Sequence, residues 1–181
     1  MSRLDTALHE LGVVAQATSV DDIEQACQAI AAARAIVAYG CGREGLMLRA
    51  LVMRLHHLGL HVAMQGDMNA PPLGKGDLLL CAAGPGELST VTALMDVAQN
   101  AGARALVITA EPQSPTPARA DFRLTIPAQT MARDVGGTST LPMGSLFEGA
   151  MFLIGEIMVL RLAEILHQTP DAMRARHTNM E

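Results

Sequence analysis

The sequence predicts an α/β fold, a three-layer sandwich built on a five-stranded parallel sheet of flavodoxin-like type. Three observations carry the prediction. Five short aliphatic runs alternate with stretches of helical periodicity, the arrangement that parallel βαβ units require. Two of those runs end in glycine-bearing turns that open directly into a helix. Near the C-terminus a long and almost wholly apolar stretch supplies a helix with more apolar surface than one sheet face can cover.

The elements follow in order. Two N-terminal helices fill roughly residues 2–33, broken near Thr18, the second started by Ser19 with Asp21 and Asp22 in its first turn. The α/β core spans roughly 34–127. Ala35 to Tyr39 is a strand ending in glycine, Leu46 to Leu58 a helix stopped by Gly59, and His61 to Met64 a second strand. After a loop from Pro71 to Gly76, Asp77 to Ala82 is a strand, Gly84 to Glu87 a turn, and Ser89 to Ala101 a helix ending at Gly102. Ala103 to Thr109 and Asp121 to Ile126 complete the five strands, separated by the Pro-rich loop Glu111 to Pro117. Pro127 to Pro142, with Gly136-Gly137-Thr138-Ser139-Thr140, reads as a mobile loop. C-terminal helices occupy roughly 141–179, the last one capped by Thr169-Pro170-Asp171.

Bulk properties exclude several function classes. A chain of 181 residues suits one domain, residues 1–181, with its own core. Net charge is -5, with one Tyr, three Phe and no Trp, which argues against a nucleic-acid partner: that affinity rests on clustered Lys and Arg and on base stacking. Cys27, Cys41 and Cys81 form no C-x-x-C pair, so neither a disulfide framework nor a metal site is expected, and a reducing cytoplasm fits. Charged Arg3, Asp5 and Glu10 oppose a signal peptide, and Glu148, Glu156 and Arg161 oppose a membrane span from Leu141 to Ala163. That helix reads instead as an oligomer-burying element.

Gly40-Cys41-Gly42-Arg43-Glu44-Gly45 fits G-x-G-x-x-G between a strand and a helix, the place where backbone N–H groups cradle a pyrophosphate. Asp67 lies near the spacing of a ribose-binding acid, but Gly66 separates it from the strand end and no second, substrate-binding domain follows. A dinucleotide is therefore disfavoured, and no cofactor is expected. Gly84-Pro85-Gly86-Glu87-Leu88-Ser89-Thr90 forms a second strand-to-helix turn, so both loops serve a small ligand at one sheet edge. Either loop alone is equally well explained by tight turning.

Several motifs together resemble the SIS-domain 6-phospho-3-hexuloisomerases. Gly40-Cys41-Gly42-Arg43 with Gly45 is similar to that family's G-A-G-R-S-G, and Met53-Arg54-Leu55-His56-His57-Leu58-Gly59 to its M-R-L-x-H-L-G. Gly74-Lys75-Gly76-Asp77-Leu78-Leu79 and Pro142-Met143-Gly144-Ser145-Leu146-Phe147-Glu148 also match, and Arg176-His177-Thr178-Asn179-Met180-Glu181 resembles its R-H-A-N-L-E. The resemblance spans the chain. It implies an aldose–ketose isomerase of a sugar phosphate, a homotetramer, and no metal or organic cofactor. By the same resemblance Gly42, Arg43, Gly86, Ser89 and Thr90 hold the phosphate. The chain departs from the family at Ala83, Pro85 and Leu88, which replace positions of its S-G-S-G-E-T-S loop, and at Glu44, which replaces a serine. Glu44 places a negative charge beside the expected phosphate, a repulsion of about 1 kcal/mol at close range even in water. Two alternatives follow: an SIS-fold enzyme with an altered substrate, phosphorylated or unphosphorylated, or a non-catalytic sugar-phosphate sensor.

Enediol isomerisation needs a base to carry a proton between adjacent carbons and a second group to serve the oxygens. The resemblance makes Glu148, heading the long apolar helix, the candidate base; a first-turn acid satisfying free N–H groups explains it structurally. Glu87 is a candidate for orienting sugar hydroxyls, although the helix dipole alone also accounts for an acid there. His57 is the candidate for ring opening, reaching a neighbouring subunit's site, and His177 belongs to a tail that closes over a neighbour. Helix-end and tail contacts are the structural explanations for these two. Cys41 is best explained as a small loop filler.

Overall fold

In the computed structural model residues 2–137 and 139–180 are described. Met1, Thr138 of the glycine-rich loop and Glu181 of the C-terminal motif lie outside them.

Local sequence sets the helix starts. Ser2 opens α1 (Arg3–Ala17) with a capping box, its hydroxyl accepting from Asp5 N (3.1 Å) while its own N–H donates to Asp5 Oδ2 (2.8 Å). The break falls at Thr18, and Ser19 caps α2 (Val20–Ala31) by accepting from Asp22 N. Strands β1 (Ile36–Gly40), β2 (Val62–Met64), β3 (Leu78–Ala82), β4 (Arg104–Thr109) and β5 (Phe122–Thr125) form one parallel sheet in the order β2-β1-β3-β4-β5. Between them lie α3 (Gly42–His57), α4 (Ser89–Asn100) and α5 (Pro115–Ala118), followed by α6 (Ser145–Ile165) and α7 (Pro170–Arg174).

Alternation along the strands divides the core into two layers. Leu78, Leu80 and Ala82 pack into one apolar cluster with side chains of α2, α3 and α6. Leu79, Cys81 and Ala83 join Val91, Met95 and Ala98 of α4 on the opposite face. The chain steps from β1 to β2 in one direction and from β3 to β4 in the other, so right-handed crossovers put α3 and α4 on opposite faces. α6 packs on α1, α2 and α3 and buries Phe147, Ile154, Met158 and Leu162, yet Phe152, Leu153, Ile157 and Leu160 on its outer side are 41–65% exposed. Among the described residues no helix is long and apolar enough to cross a membrane.

Three details differ from the sequence reading. Helix α3 begins at Gly42 rather than Leu46, because a first turn holding two glycines carries no apolar periodicity. The Pro-rich loop contains α5, whose Pro115 occupies a first-turn position where a missing N–H costs no hydrogen bond. The segment 127–142 holds a 3₁₀ turn, Met131–Arg133, and is tied to α1: Glu10 accepts from Ser139 Oγ (2.6 Å) and Thr140 N (2.9 Å).

Gly45 lies so close to β1 that an added Cβ would stand 2.4 Å from Gly40 O, whereas a Cβ at Gly12 in α1 meets nothing within 4 Å. Gly45→Ala is therefore expected to cost about 1–3 kcal/mol through overpacking. Gly12→Ala is expected to stabilise by about 0.5–1 kcal/mol, as a glycine replaced inside a helix. Chemical denaturation of the two variants checks both signs.

Candidate functional site

The loops that follow β1 and β3 leave the sheet at its carboxyl edge, where the strand order reverses and a crevice opens. Their glycines have separate causes. Gly40 and Gly45 permit backbone-to-backbone approach of β1 and α3, and Gly42 adopts φ +54°. A Cβ at Gly84 would lie 2.7 Å from both Glu44 Oε1 and Phe147 Cε1. Gly86, at φ +96°, turns against Ser114.

Between these loops, the start of α6 and the 130–144 segment lies a cavity of about 430 Å³. Its walls are largely apolar: Pro85, Leu88, Met131, Met143 and Phe147. Its charged side chains are Arg43, Glu44 and Glu148. Glu148, in the first turn of α6, is 13% exposed at its side chain, and its Oε2 accepts from Arg43 Nε. Arg43 Nη2 also donates to Ser145 Oγ at 3.5 Å. Glu44 Oε2 accepts from Gly84 N at 2.9 Å and so links the two glycine loops. Burial pushes the Glu44 carboxyl up to about 7, and the negative Glu148 adds to this while the Gly84 N–H opposes it. Thr130, 3% exposed, contributes a buried hydroxyl without a protein partner among the described residues. A buried polar group left unpaired costs about 1–3 kcal/mol, so a ligand hydroxyl here would be stabilised. The mostly apolar walls with a few convergent polar groups are those of a small-molecule site.

Of the residues singled out in the sequence, Gly42, Arg43 and Glu148 meet at this cavity together with Cys41, whose thiol lies 3.5 Å from Tyr39 Oη. Glu87, Ser89 and Thr90 are exposed beside it and Gly86 is buried behind the loop; it is Pro85 and Leu88 of this loop that form the wall. His57 and His177 lie elsewhere. His57 ends α3, about 21 Å along the helix axis from Arg43 at 1.5 Å per residue. It is buried, with its ring centroid 5.2 Å from that of His177, in a second cavity of about 290 Å³ shared with Arg54, Met173 and Arg174. Burial, then His177, Arg54 and His56, hold the His57 imidazole below its ordinary value, which favours the neutral ring.

The sequence reading did not place Thr130, Met131, Met143 or Phe147 at the site. Only tertiary folding brings the 130–144 segment over the glycine loops. Asp67, considered for a ribose, turns its carboxylate back to accept from Met64 N (3.1 Å). Among the described residues no three His, Cys, Asp or Glu side chains gather as metal ligands would.

Residues 29–154 match the SIS domain family. Over 142 residues, 78% of this chain and 71% of the relative, the sequence is 38% identical to a 3-hexulose-6-phosphate isomerase of Mycobacterium gastri. It is 30% identical to one of Bacillus subtilis over 96% of this chain and 95% of the relative. Among solved structures, a Methanococcus jannaschii protein for which a 3-hexulose-6-phosphate isomerase function has been inferred superposes over the full length of both chains, with a TM-score of 0.85 and 23% identity.

The raised Glu44 group makes stability depend on pH. Its folded value of about 7 exceeds the ordinary 4.5, so its contribution is fully present below about pH 4.5 and is lost as pH rises through 7. Glu44→Gln keeps the side chain's size and removes the ionisation. Thermal melts are expected to show wild type and variant alike at pH 4 and the variant more stable at pH 8. A pH-independent difference would show that Glu44 ionises as it does in water.

Proposed function

We propose that this chain, which belongs to the SIS-domain family, is a sugar-phosphate isomerase of the 3-hexulose-6-phosphate isomerase kind, a soluble cytoplasmic enzyme working as one SIS unit over residues 1–181. The observation that carries the reading is the Glu148 carboxylate at the cavity, held by Arg43 between the two glycine loops. For a 3-ketohexose phosphate, the enediol chemistry used by aldose–ketose isomerases moves the carbonyl from C3 to C2 and so interconverts two ketoses. Glu148 takes the proton from C2, the C3 carbonyl oxygen gains a proton, and a C2–C3 enediol forms. Loss of the O2 proton and return of a proton to C3 then give the 2-ketose. Electrons and atoms balance within the sugar, so no external oxidant or reductant enters.

Arg43 and the α3 N-terminus supply positive potential for the charge that develops on the enediol oxygens. The Thr130 hydroxyl suits a sugar hydroxyl. For the phosphate we take Gly42, Arg43, Gly86, Ser89 and Thr90 of the two loops, with Glu87 beside the cavity to orient hydroxyls. His57, next to His177 and outside the cavity of its own chain, suits ring opening at the site of a neighbouring subunit. The exposed outer side of α6, with Met53 and Leu46 exposed on α3, supports an oligomer, which we read as a homotetramer.

Two outcomes test this reading. In deuterium oxide, wild type is expected to exchange the carbon-bound hydrogen beside the carbonyl of fructose 6-phosphate. Glu148→Gln is expected to lower that exchange at least about a hundredfold, the low end for a positioned base, with the fold intact. Equal exchange in both proteins moves the base to Glu87. Light scattering at micromolar concentration is expected to give the mass of a tetramer, and a monomer would end the shared-site assignment of His57.

A further inference from the structure

Two strong donors to an anion belong to this region, the Arg43 guanidinium at the cavity wall and the buried Gly84 N–H covered by the Glu44 side chain, and each already serves a carboxylate of the chain itself. Arg43 is held by Glu148, and Gly84 N donates to Glu44 Oε2 at 2.9 Å. The Glu44 carboxylate lies directly against the second loop, since a Cβ at Gly84 would stand 2.7 Å from Glu44 Oε1. The titratable and charged side chains lining this space are Cys41, Arg43 and Glu44 from the first loop and α3, and Glu148 from α6. Arg43 carries one positive charge against two carboxylates. The three therefore sum to a net negative charge when Glu44 is ionised and to zero when it is protonated.

We propose that Glu44 is a specificity-determining residue that competes with the substrate's phosphate for the Gly84 N–H, so that an anionic ligand enters this loop only once the Glu44 carboxylate has taken up a proton. This rests on the sugar-phosphate reading above and adds a condition to it. The side chain is an internal anion, seated on a backbone donor of the second glycine loop, and its release needs neutralisation rather than a change of fold. Its group, pushed up to about 7, places the change in the neutral range. The Thr130 hydroxyl is uncharged, so recognition of the sugar's hydroxyls there is independent of Glu44.

The test is calorimetric titration of wild type and Glu44→Gln with sulfate, a dianion whose charge is constant between pH 6 and 8. Wild-type affinity is expected to fall about tenfold from pH 6 to pH 8, as ionisation at about 7 requires. The Gln variant is expected to bind nearly independently of pH and about tenfold more tightly than wild type at pH 8, which corresponds to about 1.4 kcal/mol. Equal affinities at pH 8, the same pH slope in both proteins, or no sulfate binding by the variant would each overturn the proposal. The wild-type slope tests it even if the variant folds poorly. The deuterium-exchange assay separates the two readings: exchange by wild type together with Glu44-independent sulfate binding would leave the isomerase standing and remove the role of Glu44.

Discussion

The site depends on one backbone contact, the approach of the end of β1 to the first turn of α3. With glycine at 40 and 45 the two backbones touch, and a side chain at either position would hold them apart: a Cβ at Gly40 would stand 2.9 Å from Gly45 N. That contact brings the start of α3 down onto the sheet edge. Arg43 and Glu44 consequently lie over the carboxyl ends of β1 and β3, and the helix dipole points its positive end into the crevice. The same glycine spacing in a dinucleotide-binding protein serves a pyrophosphate. Here its first and last members are explained by helix–strand packing, with the polar work passed to the residues between them.

Charge balance in the crevice follows from that placement. Arg43 has its side chain 65% exposed and reaches Glu148, whereas Glu44, one residue on, points inward to Gly84. Two carboxylates of opposite environment result: one is paired with a cation and the other is desolvated beside a single backbone donor. Environments that differ in this way separate the roles of like groups at a catalytic centre. Glu148 is held by Arg43 at the cavity, while Glu44 changes charge near neutrality.

Helix α3 also separates what the sequence places in neighbouring motifs. Its 16 residues carry Arg43 at one end and His57 at the other, so a rigid rod of that length puts the histidine pair outside the cavity of its own chain. The outer side of α6 is apolar where it meets solvent, and α3 packs against α6. A second copy covering this side would bury that apolar surface and bring foreign residues near the helix ends.

Much of this was legible in the sequence. Alternating aliphatic runs gave all five strands, because strand burial on both faces of a parallel sheet demands continuous apolar residues. Ser19 and Thr169 announced helix starts through local hydrogen bonding, and Glu148 was found from its motif and its place at the head of an apolar helix. The side-chain partners were not legible, because they join residues far apart in the chain: Glu44 with Gly84, Arg43 with Glu148, and Thr130 with a cavity whose glycine-loop walls lie more than 40 residues earlier. Local propensity determines where helices and strands start and stop. Which donor each carboxylate takes, and which hydroxyl is left unpaired, is decided only when the layers close, since desolvation and long-range hydrogen bonds exist only in the packed state.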